Sequence, residues 1–507
     1  MALARVSGVV LWGVVGTVVE VEVEVAQGLP SVGVVGLPDA SVGESRWRAR
    51  SAVSSIGATW PAQRVTISLT PAEMPKNGSA LDLPIAVGVL LASGQGTPEG
   101  LDRTAFIGEL GLDGALRPTR GAVAGALAAR QCGMARVVVP VDSAPEISRL
   151  PGIAVLAARD LADVMAIVRG EGAGVPVPTG QETGHVDPEP DLAEVRGHEQ
   201  AKFALEAAAA GGHHVAMVGP PGVGKTLLAH RLPGLLPDLD DEEAIEVAAI
   251  HSVAGLQRVD GAFRRPPTRS PHHSASAAAL LGSATGRRVQ PGAATLSHRG
   301  VLFLDEAAEF ARPCLEGLRQ PMESGVVWLQ RAAWAGSLPA RFMLVLAANP
   351  CPCGLRVGTG ADCSCSTSAV RRYTARLSGP VMDRVDVRLL LIRPSASELD
   401  DGPAAEPSGS VRLRVATARA RGRRRMVGLP CSTNAEVPTS VLRRWPLDSG
   451  AADLLHDLER RSANLRGPDR VLRVAWSLAD LAGRDRPSRD DVAGAMGLRG
   501  ASLGWTG

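Results

Sequence analysis

The segment GPPGVGKT at residues 219–226 has the residue types and spacing of a phosphate-binding loop. Its glycines allow backbone N–H groups to turn toward phosphate oxygens, and the start of the following helix adds a partial positive charge. We expect Lys225 to contact the β- and γ-phosphates of a nucleotide and Thr226 to offer its hydroxyl to Mg²⁺. The predicted nucleotide-binding residues are Gly219, Pro220, Pro221, Gly222, Val223, Gly224, Lys225 and Thr226.

Two acidic residues and an asparagine follow this loop in the order that nucleotide hydrolysis requires. The apolar run Val301–Leu304 predicts a buried strand that leads directly into Asp305 and Glu306. We expect Asp305 to hold Mg²⁺ and Glu306 to polarise the attacking water molecule. The segment FMLVLAANP predicts a further strand that ends at Asn349, whose amide could orient that water and sense the γ-phosphate.

Arg384 is a candidate for stabilising negative charge in the transition state. It lies beside Asp383, ahead of another apolar segment that reads as a strand. A guanidinium supplied across a subunit boundary would stabilise the charge that develops on the transferred phosphoryl group. An ion pair between Arg384 and Asp383 within one subunit is the alternative.

A cluster of cysteines follows Asn349 and suggests a metal site. Cys351, Cys353, Cys363 and Cys365 form two Cys-x-Cys pairs on either side of a glycine-rich stretch. Four thiolates in this arrangement can reach one tetrahedral Zn²⁺. Cys-x-Cys is less common in zinc sites than Cys-x-x-Cys, so four reduced cysteines in an exposed loop are the alternative. A zinc ion here would keep the loop in place and have no catalytic role.

The elements that must position these residues belong to a long chain of several domains. A length of 507 residues suggests roughly three domains. We predict a mixed domain of strands and helices at 1–170, a Gly- and Pro-rich linker at 171–190, a second α/β unit at 191–395 and a helical region at 396–507.

Composition excludes several classes of protein. The net charge of +2 creates no strong global field, so contact with nucleic acid would require a local basic patch. We find no apolar run of the length that spans a membrane and no tidy signal peptide, so we expect a cytoplasmic protein without a membrane contact. Seven cysteines in such a protein do not indicate a disulfide framework.

The order of these motifs resembles that of AAA+ ATPases, and longer segments resemble one group of magnesium-chelatase-like proteins, the YifB/ComM family. In the middle of the chain these segments are RSPHHSASAAALLG, GVLFLDEAAEF, LRQPMESG and LAANPCPCG. Nearer the N-terminus they are GLPSVGVVGLPDASVGESRWRAR and LTPAEMPKNGSALDLPIAVGVL. The resemblance covers nearly the whole chain.

The resemblance implies both a fold and an activity. It implies an N-terminal domain similar to the Lon-protease C-terminal domain and to the second domain of ribosomal protein S5, an AAA+ core with inserts, and a helical lid. A member of this family would hydrolyse ATP with Mg²⁺ as a homo-hexameric ring and drive branch migration of DNA in recombination or transformation. Arg466 best matches the sensor arginine of the lid, and Arg470 competes with it because Gly467 and Pro468 interrupt the usual pattern.

Two segments resemble inserts that face the pore of ring helicases. One lies between the phosphate-binding loop and Asp305, and the other, ESGVVWLQRAAWAGSLPARF, resembles a pre-sensor hairpin. In that hairpin Trp328 and Arg331 offer a stacking surface and a charge to single-stranded or branched DNA. Arg423 and Arg424 belong to a run of arginines dense enough to contact phosphates. The alternatives are buried tryptophans and a solvated helix face in an arginine-rich chain.

Three other functions compete with a helicase. A Lon-like domain could use a Ser–Lys pair for proteolysis, but no lysine occurs between Lys76 and Lys202, so Ser79 has no partner lysine after it in this domain. Metal insertion into a porphyrin is not expected, because nothing in the sequence resembles a porphyrin site. A regulatory or chaperone-like ATPase without helicase activity is the main alternative.

Overall fold

The structure is a computed structural model, and it describes most of the chain. The residues described are 2–36, 40–73, 76, 79–97, 101–172, 174–177, 189–256, 263–285, 288–331, 334–356, 360, 362–377, 379–395, 398, 406–462 and 466–500.

The N-terminal part of the chain alternates strands with helices around one sheet. Seven strands pair in the order β3-β4-β2-β1-β5-β8-β9. The elements are β1 (Ala2–Trp12), β2 (Val15–Ala26), β3 (Ser31–Val35), α1 (Ala40–Ser55), β4 (Arg64–Thr70), α2 (Asp82–Ala92), β5 (Thr104–Phe106), β6 (Glu109–Leu110), β7 (Leu116–Arg117), α3 (Ala122–Gln131), β8 (Arg136–Pro140), α4 (Ala144–Ile147), β9 (Ala154–Ala158) and α5 (Leu161–Val168).

The alternating VEVEVEV pattern explains which face of β2 is buried in this sheet. Val19, Val21 and Val23 are completely buried, whereas the glutamates between them lie on the other face. A strand places successive side chains on opposite faces, so the valines cover the core and the glutamates remain accessible to solvent. The antiparallel pairing of β1 with β2 places the buried side chains of both strands on the same face, toward that core.

The middle of the chain forms a parallel sheet with helices on both sides. Its strands pair in the order β11-β14-β17-β10-β18. The elements are α6 (Glu199–Gly211), β10 (Val215–Val218), α7 (Lys225–Leu235), α8 (Asp241–Val253), β11 (Thr268–Arg269), α9 (Ala277–Leu281), β12 (Gly282–Thr285), β13 (Arg288–Pro291), α10 (Ala293–Leu296), β14 (Val301–Leu304), α11 (Arg312–Gly317), α12 (Arg319–Ser324), β15 (Val326–Arg331), β16 (Trp334–Pro339), β17 (Met343–Ala348), α13 (Thr367–Thr374), α14 (Gly379–Met382) and β18 (Val387–Leu390).

Continuous apolar runs explain the parallel sheet. Every residue of β10, β14 and β17 is buried, as expected for strands that are covered on both faces. Two antiparallel hairpins, β12–β13 and β15–β16, lie outside this sheet. The observed fold is therefore mixed α/β with a parallel sheet in the middle of the chain.

The C-terminal part of the described chain is helical. Its helices are α15 (Ser408–Arg425), α16 (Thr439–Leu442), α17 (Ser449–Arg461), α18 (Arg466–Leu481) and α19 (Arg489–Gly500). In the portion of the chain that the structure describes, no helix combines the length and apolar character needed to cross a bilayer.

Most of the predicted connections between domains lie outside the described residues. Residues 178–188 of the predicted linker 171–190 are not described, and the described positions between 396 and 405 are limited to residue 398. The domain boundaries that we infer from the sequence therefore stay predictions.

One apolar cluster joins the N-terminal sheet to the middle of the chain. It includes Val9 of β1, Ile250 of α8 and Trp334 of β16. The rings of Trp12 and Trp334 lie 6.4 Å apart between centroids. Gly13 turns the chain between β1 and β2 with φ of 69°, and a Cβ atom there would lie 2.9 Å from the Trp334 ring. The turn of the first hairpin therefore docks on the hairpin β15–β16.

We expect Trp334→Ala to destabilise the protein by about 3–5 kcal/mol, because it removes a buried aromatic ring that the surrounding residues cannot replace. Trp328→Ala is a matched control on the same hairpin, since Trp328 is 60% exposed and Trp334 only 3%. The control should change stability by about 0.5 kcal/mol or less. Thermal unfolding followed by circular dichroism would compare them, and equal losses would contradict the docking of the two parts through Trp334.

Candidate nucleotide-hydrolysis site

Three strands of the parallel sheet end at the candidate site. Since β10, β14 and β17 run parallel, their carboxyl ends meet at one edge of the sheet. Ligands of such sheets bind at that edge. β10 leads there into the phosphate-binding loop, β14 into Asp305 and Glu306, and β17 into Asn349.

The phosphate-binding loop ends in a left-handed turn at the start of α7. Gly222 and Gly224 have φ values of 74° and 99°, a conformation that other residues rarely adopt. Lys225 is the first residue of α7, and its Nζ donates to the carbonyl oxygens of Gly219 at 2.7 Å and Pro220 at 2.8 Å. The loop therefore places one lysine and the amino end of a helix at the same point, which is an arrangement that binds anions.

Lys225 also joins the loop to the neighbouring strand. Its Nζ lies 3.0 Å from Oδ1 of Asn349. Lys225 is 9% exposed, and burial lowers the pKa of its ammonium, although the nearby carboxylate of Asp305 opposes that shift. The structure thus brings the predicted phosphate ligand and the predicted sensor amide into direct contact.

Thr226 and Asp305 meet as the sequence predicts for a Mg²⁺ site. The hydroxyl of Thr226 donates to Oδ2 of Asp305 at 2.7 Å, and the other carboxylate oxygen accepts the N–H of Glu306 at 2.9 Å. Hydroxyl and carboxylate oxygens are suitable ligands for Mg²⁺, which is usually bound by one or two carboxylates with phosphates and water. These two residues fit one coordination sphere beside the phosphate-binding loop.

The side chain of Glu306 contacts a different part of the chain. It has a positive φ of 49°, and its Oε2 lies 2.9 Å from Nδ1 of His273. His273 follows β11, the strand beside β14 in the sheet. The base that we predict for water activation is therefore held by a side chain from the neighbouring strand.

Two histidines at this edge make contacts that the sequence does not predict. One is His273, and the other is His198, whose Nε2 would lie 3.6 Å from a Cβ atom on Gly224. Burial lowers the pKa of His198, and a hydrogen bond with the backbone of Val223 opposes that effect. His273 lies in the segment RSPHHSASAAALLG, but only the tertiary structure reveals its contact and that of His198.

Arg384 and Arg466 lie at the other edge of the sheet. Arg384 precedes β18 and is buried, with its Nη2 at 2.5 Å from Oε1 of Glu323 in α12. The ion pair within the chain is therefore formed with Glu323, whereas the sequence suggested Asp383 as the partner. Arg466 approaches the same Glu323 oxygen at 4.0 Å and is 60% exposed. Neither arginine lies beside the phosphate-binding loop of its own chain.

Arg470 forms an ion pair inside the fold. Its Nη1 lies 3.0 Å from Oδ1 of Asp386, which is completely buried. A cavity of about 480 Å³ opens between the parallel sheet and the C-terminal helices at this edge, and Glu323, Arg466 and Arg470 are among its lining residues. Of the two arginines that compete for the sensor position, Arg466 is the one with its guanidinium accessible.

The four clustered cysteines converge on one point. Their sulfur atoms all lie within 4.8 Å of one another, and Cys351 Sγ is 3.3 Å from Cys353 Sγ and 3.7 Å from Cys363 Sγ. Tetrahedral Zn–S bonds of about 2.3 Å would separate the sulfurs by about 3.8 Å. Hydrogen bonds from the backbone of Leu355 and from Cys351 lower the pKa of the Cys353 thiol to about 6. Together with Cys365, these thiols could hold a metal ion.

The cysteine loop also touches the phosphate-binding loop. Gly354 has φ of 80°, and a Cβ atom there would lie 2.6 Å from Cδ of Pro221. The same Cβ atom would lie 3.8 Å from Cγ of Asn349. The position of the cysteine loop is thus linked to two parts of the candidate site.

The residues of the predicted pre-sensor hairpin differ in exposure. Trp328 and Arg331 of β15 are exposed, so they are available to a ligand. Trp334 is buried against the N-terminal sheet, so the alternative of a buried tryptophan holds for it. The hairpin therefore exposes one aromatic ring and, three residues further along the same strand, one guanidinium.

The arginine run in α15 divides into structural and exposed members. Arg419 is half-buried and donates to the carbonyl of Ala209, and the guanidinium of Arg425 lies over the ring of Trp476 at 4.1 Å. Arg423 lies 3.5 Å from Glu243, and Arg424 is exposed. Only part of the run can thus contact phosphates.

Three sequence-family profiles match the chain, and all of them describe magnesium chelatase. The profile "Magnesium chelatase, subunit ChlI" matches residues 191–399. "Subunit ChlI of Mg-chelatase" matches residues 21–143, and "Magnesium chelatase, subunit ChlI C-terminal" matches residues 405–499.

Full-length relatives occur in several bacteria. An uncharacterised protein of Mycobacterium tuberculosis is 48% identical over 98% of this chain and 99% of its own length. The uncharacterised protein YifB of Escherichia coli is 40% identical over 98% of this chain and 97% of its own. Competence protein ComM of Haemophilus influenzae is 36% identical, with 98% of each chain covered.

We expect protein purified without chelators to contain about one zinc ion per chain, because four thiols converge as a tetrahedral site requires. Elemental analysis would measure it. The double variant Cys363→Ser, Cys365→Ser should lose the metal, whereas Cys132→Ser, which removes an exposed cysteine outside the cluster, should keep it. A metal-free, active wild-type protein with four freely titratable thiols in the cluster would contradict the site.

Proposed function

The chain belongs to the YifB/ComM family of magnesium-chelatase-like proteins, and from this premise we propose that it is an AAA+ ATPase whose ring remodels DNA. The observation that carries ATP hydrolysis is the meeting of four predicted residues at the carboxyl edge of one parallel sheet. Lys225 contacts Asn349 there, and Thr226 contacts Asp305.

Each residue has a distinct task in this proposal. Lys225 exchanges the loop carbonyls for phosphate oxygens when nucleotide binds, and Asn349 orients the water that attacks the γ-phosphate. Thr226 and Asp305 hold Mg²⁺, which neutralises charge on the β- and γ-phosphates when bound. Glu306 accepts the proton of the attacking water.

The positions of two arginines support a ring. Arg384 and Arg466 lie at the edge of the sheet opposite to the phosphate-binding loop of their own chain, so they cannot serve that nucleotide. A head-to-tail arrangement of subunits would place this edge against the phosphate-binding loop of a neighbour. We propose a homo-hexamer in which Arg384, released from Glu323, stabilises transition-state charge in trans.

Two hairpins support a DNA ligand. Gly282 at the start of β12 approaches Leu329 of β15, and a Cβ atom on it would lie 3.5 Å from the leucine side chain, so the hairpins form one unit. Trp328 and Arg331 project from that unit and can stack on a base and contact a phosphate. Arg423 and Arg424 offer a second basic surface. The relative named as a competence protein makes DNA the favoured polymer for this chain.

The N-terminal domain and the C-terminal helices have supporting roles in this proposal. We assign the first a fold similar to the Lon C-terminal domain without protease activity. Lys76 is completely buried and donates to the carbonyl of Pro71, so it cannot act as an accessible base for Ser79. The C-terminal helices would form the lid, and zinc in the cysteine loop would keep Asn349 in place.

ATP hydrolysis by the wild-type protein should rise severalfold with branched DNA, and less with linear double-stranded DNA. Lys225→Ala should reduce hydrolysis to background. Trp328→Ala should keep the basal rate. It should raise the DNA concentration that gives half-maximal stimulation roughly 5- to 150-fold, since stacking contributes about 1–3 kcal/mol per base. Hydrolysis that no DNA stimulates would favour the regulatory or chaperone-like alternative.

Mixed rings test the trans role of Arg384. Neither Arg384→Gln nor Lys225→Ala should hydrolyse ATP alone, but mixtures should regain part of the wild-type rate. Some interfaces then pair an intact phosphate-binding loop with an intact Arg384. Glutamine keeps an amide beside Glu323, so the fold should tolerate the change. Assembled mixtures without any activity would contradict the trans role.

A further inference from the structure

The cavity at the amino edge of the parallel sheet is separate from the candidate nucleotide-hydrolysis site. His214, Gly300 and Phe342 line this cavity, and they immediately precede β10, β14 and β17. The phosphate-binding loop follows the opposite end of β10. Since β10 has four residues at about 3.3 Å each, roughly 13 Å of strand separates the cavity from that loop. A ligand in the cavity would therefore not occupy the phosphate-binding loop of its own chain.

The lining of the cavity carries an excess of positive charge. Four acidic residues line it, together with six arginines, which are Arg299, Arg341, Arg419, Arg466, Arg470 and Arg473. Ion pairs with partners outside the lining do not reduce this excess, because two of those partners are acidic and three are basic. The cavity thus has at least two positive charges that the protein does not balance locally.

Two of these arginines have no carboxylate partner in the part of the chain that the structure describes. Arg419 of α15 donates to the carbonyl of Ala209, and Arg473 of α18 donates to the carbonyl of Val437 and the hydroxyl of Thr439. Nε of Arg473 is buried and has no hydrogen-bond partner among the described residues. Burial lowers the pKa of both guanidinium groups, that of Arg419 to about 10. Cations in such surroundings are costly unless an anion approaches them.

We propose that this cavity binds a phosphate monoester that carries an apolar ring, of which a nucleoside monophosphate is the simplest form, as a second and non-catalytic ligand. Guanidinium groups bind phosphate oxygens through paired hydrogen bonds. A phosphate monoester carries about −1.5 to −2 charges at pH 7, which matches the excess charge of the lining. The phosphate would lie between Arg419 and Arg473.

The remaining walls of the cavity fit a ring. Leu236, Leu239, Phe342 and Val437 line it, and each of them is at most 7% exposed. Small-molecule sites usually combine such an apolar lining with a few polar groups, and they have volumes of about 300–1,000 Å³. The volume here is about 480 Å³, so a phosphate alone would leave most of it unfilled.

A ligand of this kind would connect two parts of the chain. Its phosphate would contact the C-terminal helices α15 and α18 through Arg419 and Arg473. Its ring would contact Phe342, at the amino end of β17 in the parallel sheet. Binding would therefore stabilise the docked position of the C-terminal helices on the sheet.

Isothermal titration calorimetry of full-length Lys225→Ala tests the site without a contribution from the phosphate-binding loop. The probes are AMP, GMP, CMP and UMP, with ribose 5-phosphate as the matched probe that lacks the ring. At least one nucleoside monophosphate should bind once per chain. Its affinity should exceed that of ribose 5-phosphate roughly 10-fold or more, since the ring is buried against apolar side chains.

Three further changes, each made in the Lys225→Ala protein, place the ligand in the cavity. Arg419→Gln should weaken binding roughly 10- to 150-fold, the equivalent of one charge-assisted hydrogen bond, and its amide can still donate to Ala209. Arg473→Gln should weaken binding in the same direction. Arg421→Gln is the matched control, because Arg421 is exposed on the same helix and contacts the carbonyl of Gly483; it should leave the affinity unchanged.

Three results would overturn the proposal. The first is that none of the four nucleoside monophosphates binds more tightly than ribose 5-phosphate. The second is binding that Arg419→Gln and Arg473→Gln leave unchanged in folded protein, which would place the ligand elsewhere. The third is binding only in assembled rings, checked by sedimentation, which would assign the arginines to the nucleotide of a neighbouring subunit. These titrations require no ATP hydrolysis, so their outcome is independent of the proposed function.

Discussion

A single buried carboxylate, that of Asp386, determines how the C-terminal helices sit on the parallel sheet. Burial alone would raise its pKa, but Arg470, with His213 and His214, lowers that pKa well below the usual range. A buried charge that loses its partner costs about 3–5 kcal/mol. Because Arg470 belongs to α18, and Ser477 of the same helix contacts His213 at 2.8 Å, the charge is balanced only when α18 is docked. The chain then continues from Asp386 into β18, which pairs with the strand that leads into the phosphate-binding loop.

The strands of the parallel sheet therefore hold two groups of functional residues apart, one at each end of the strands. Its carboxyl edge gathers the residues that would bind nucleotide and activate water, and its amino edge gathers arginines around acidic partners. The cysteine loop supports the first edge from outside, since Gly354 packs against Pro221. A change in that loop would reach the phosphate-binding loop and Asn349 together, without touching the sheet.

Much of this arrangement can be predicted from the sequence, because its motifs are local. The strand-and-loop patterns around Lys225, Asp305 and Asn349 predict their secondary structure, and the parallel pairing of the strands brings them to one edge. The start of α18 at Arg466 likewise follows from the proline in its first turn. The partner of Arg384 and the contact of His273 could not be predicted, because distant segments create them.

The shared apolar cluster around Trp334 has a practical consequence for anyone who wishes to express fragments of this protein. The N-terminal sheet and the parallel sheet bury residues against one another in one contiguous cluster. Excision of the ATPase portion would uncover the faces of Trp334, Ile250 and their neighbours, and large exposed apolar patches promote aggregation. A fragment meant to stay soluble should therefore retain both the N-terminal sheet and the parallel sheet.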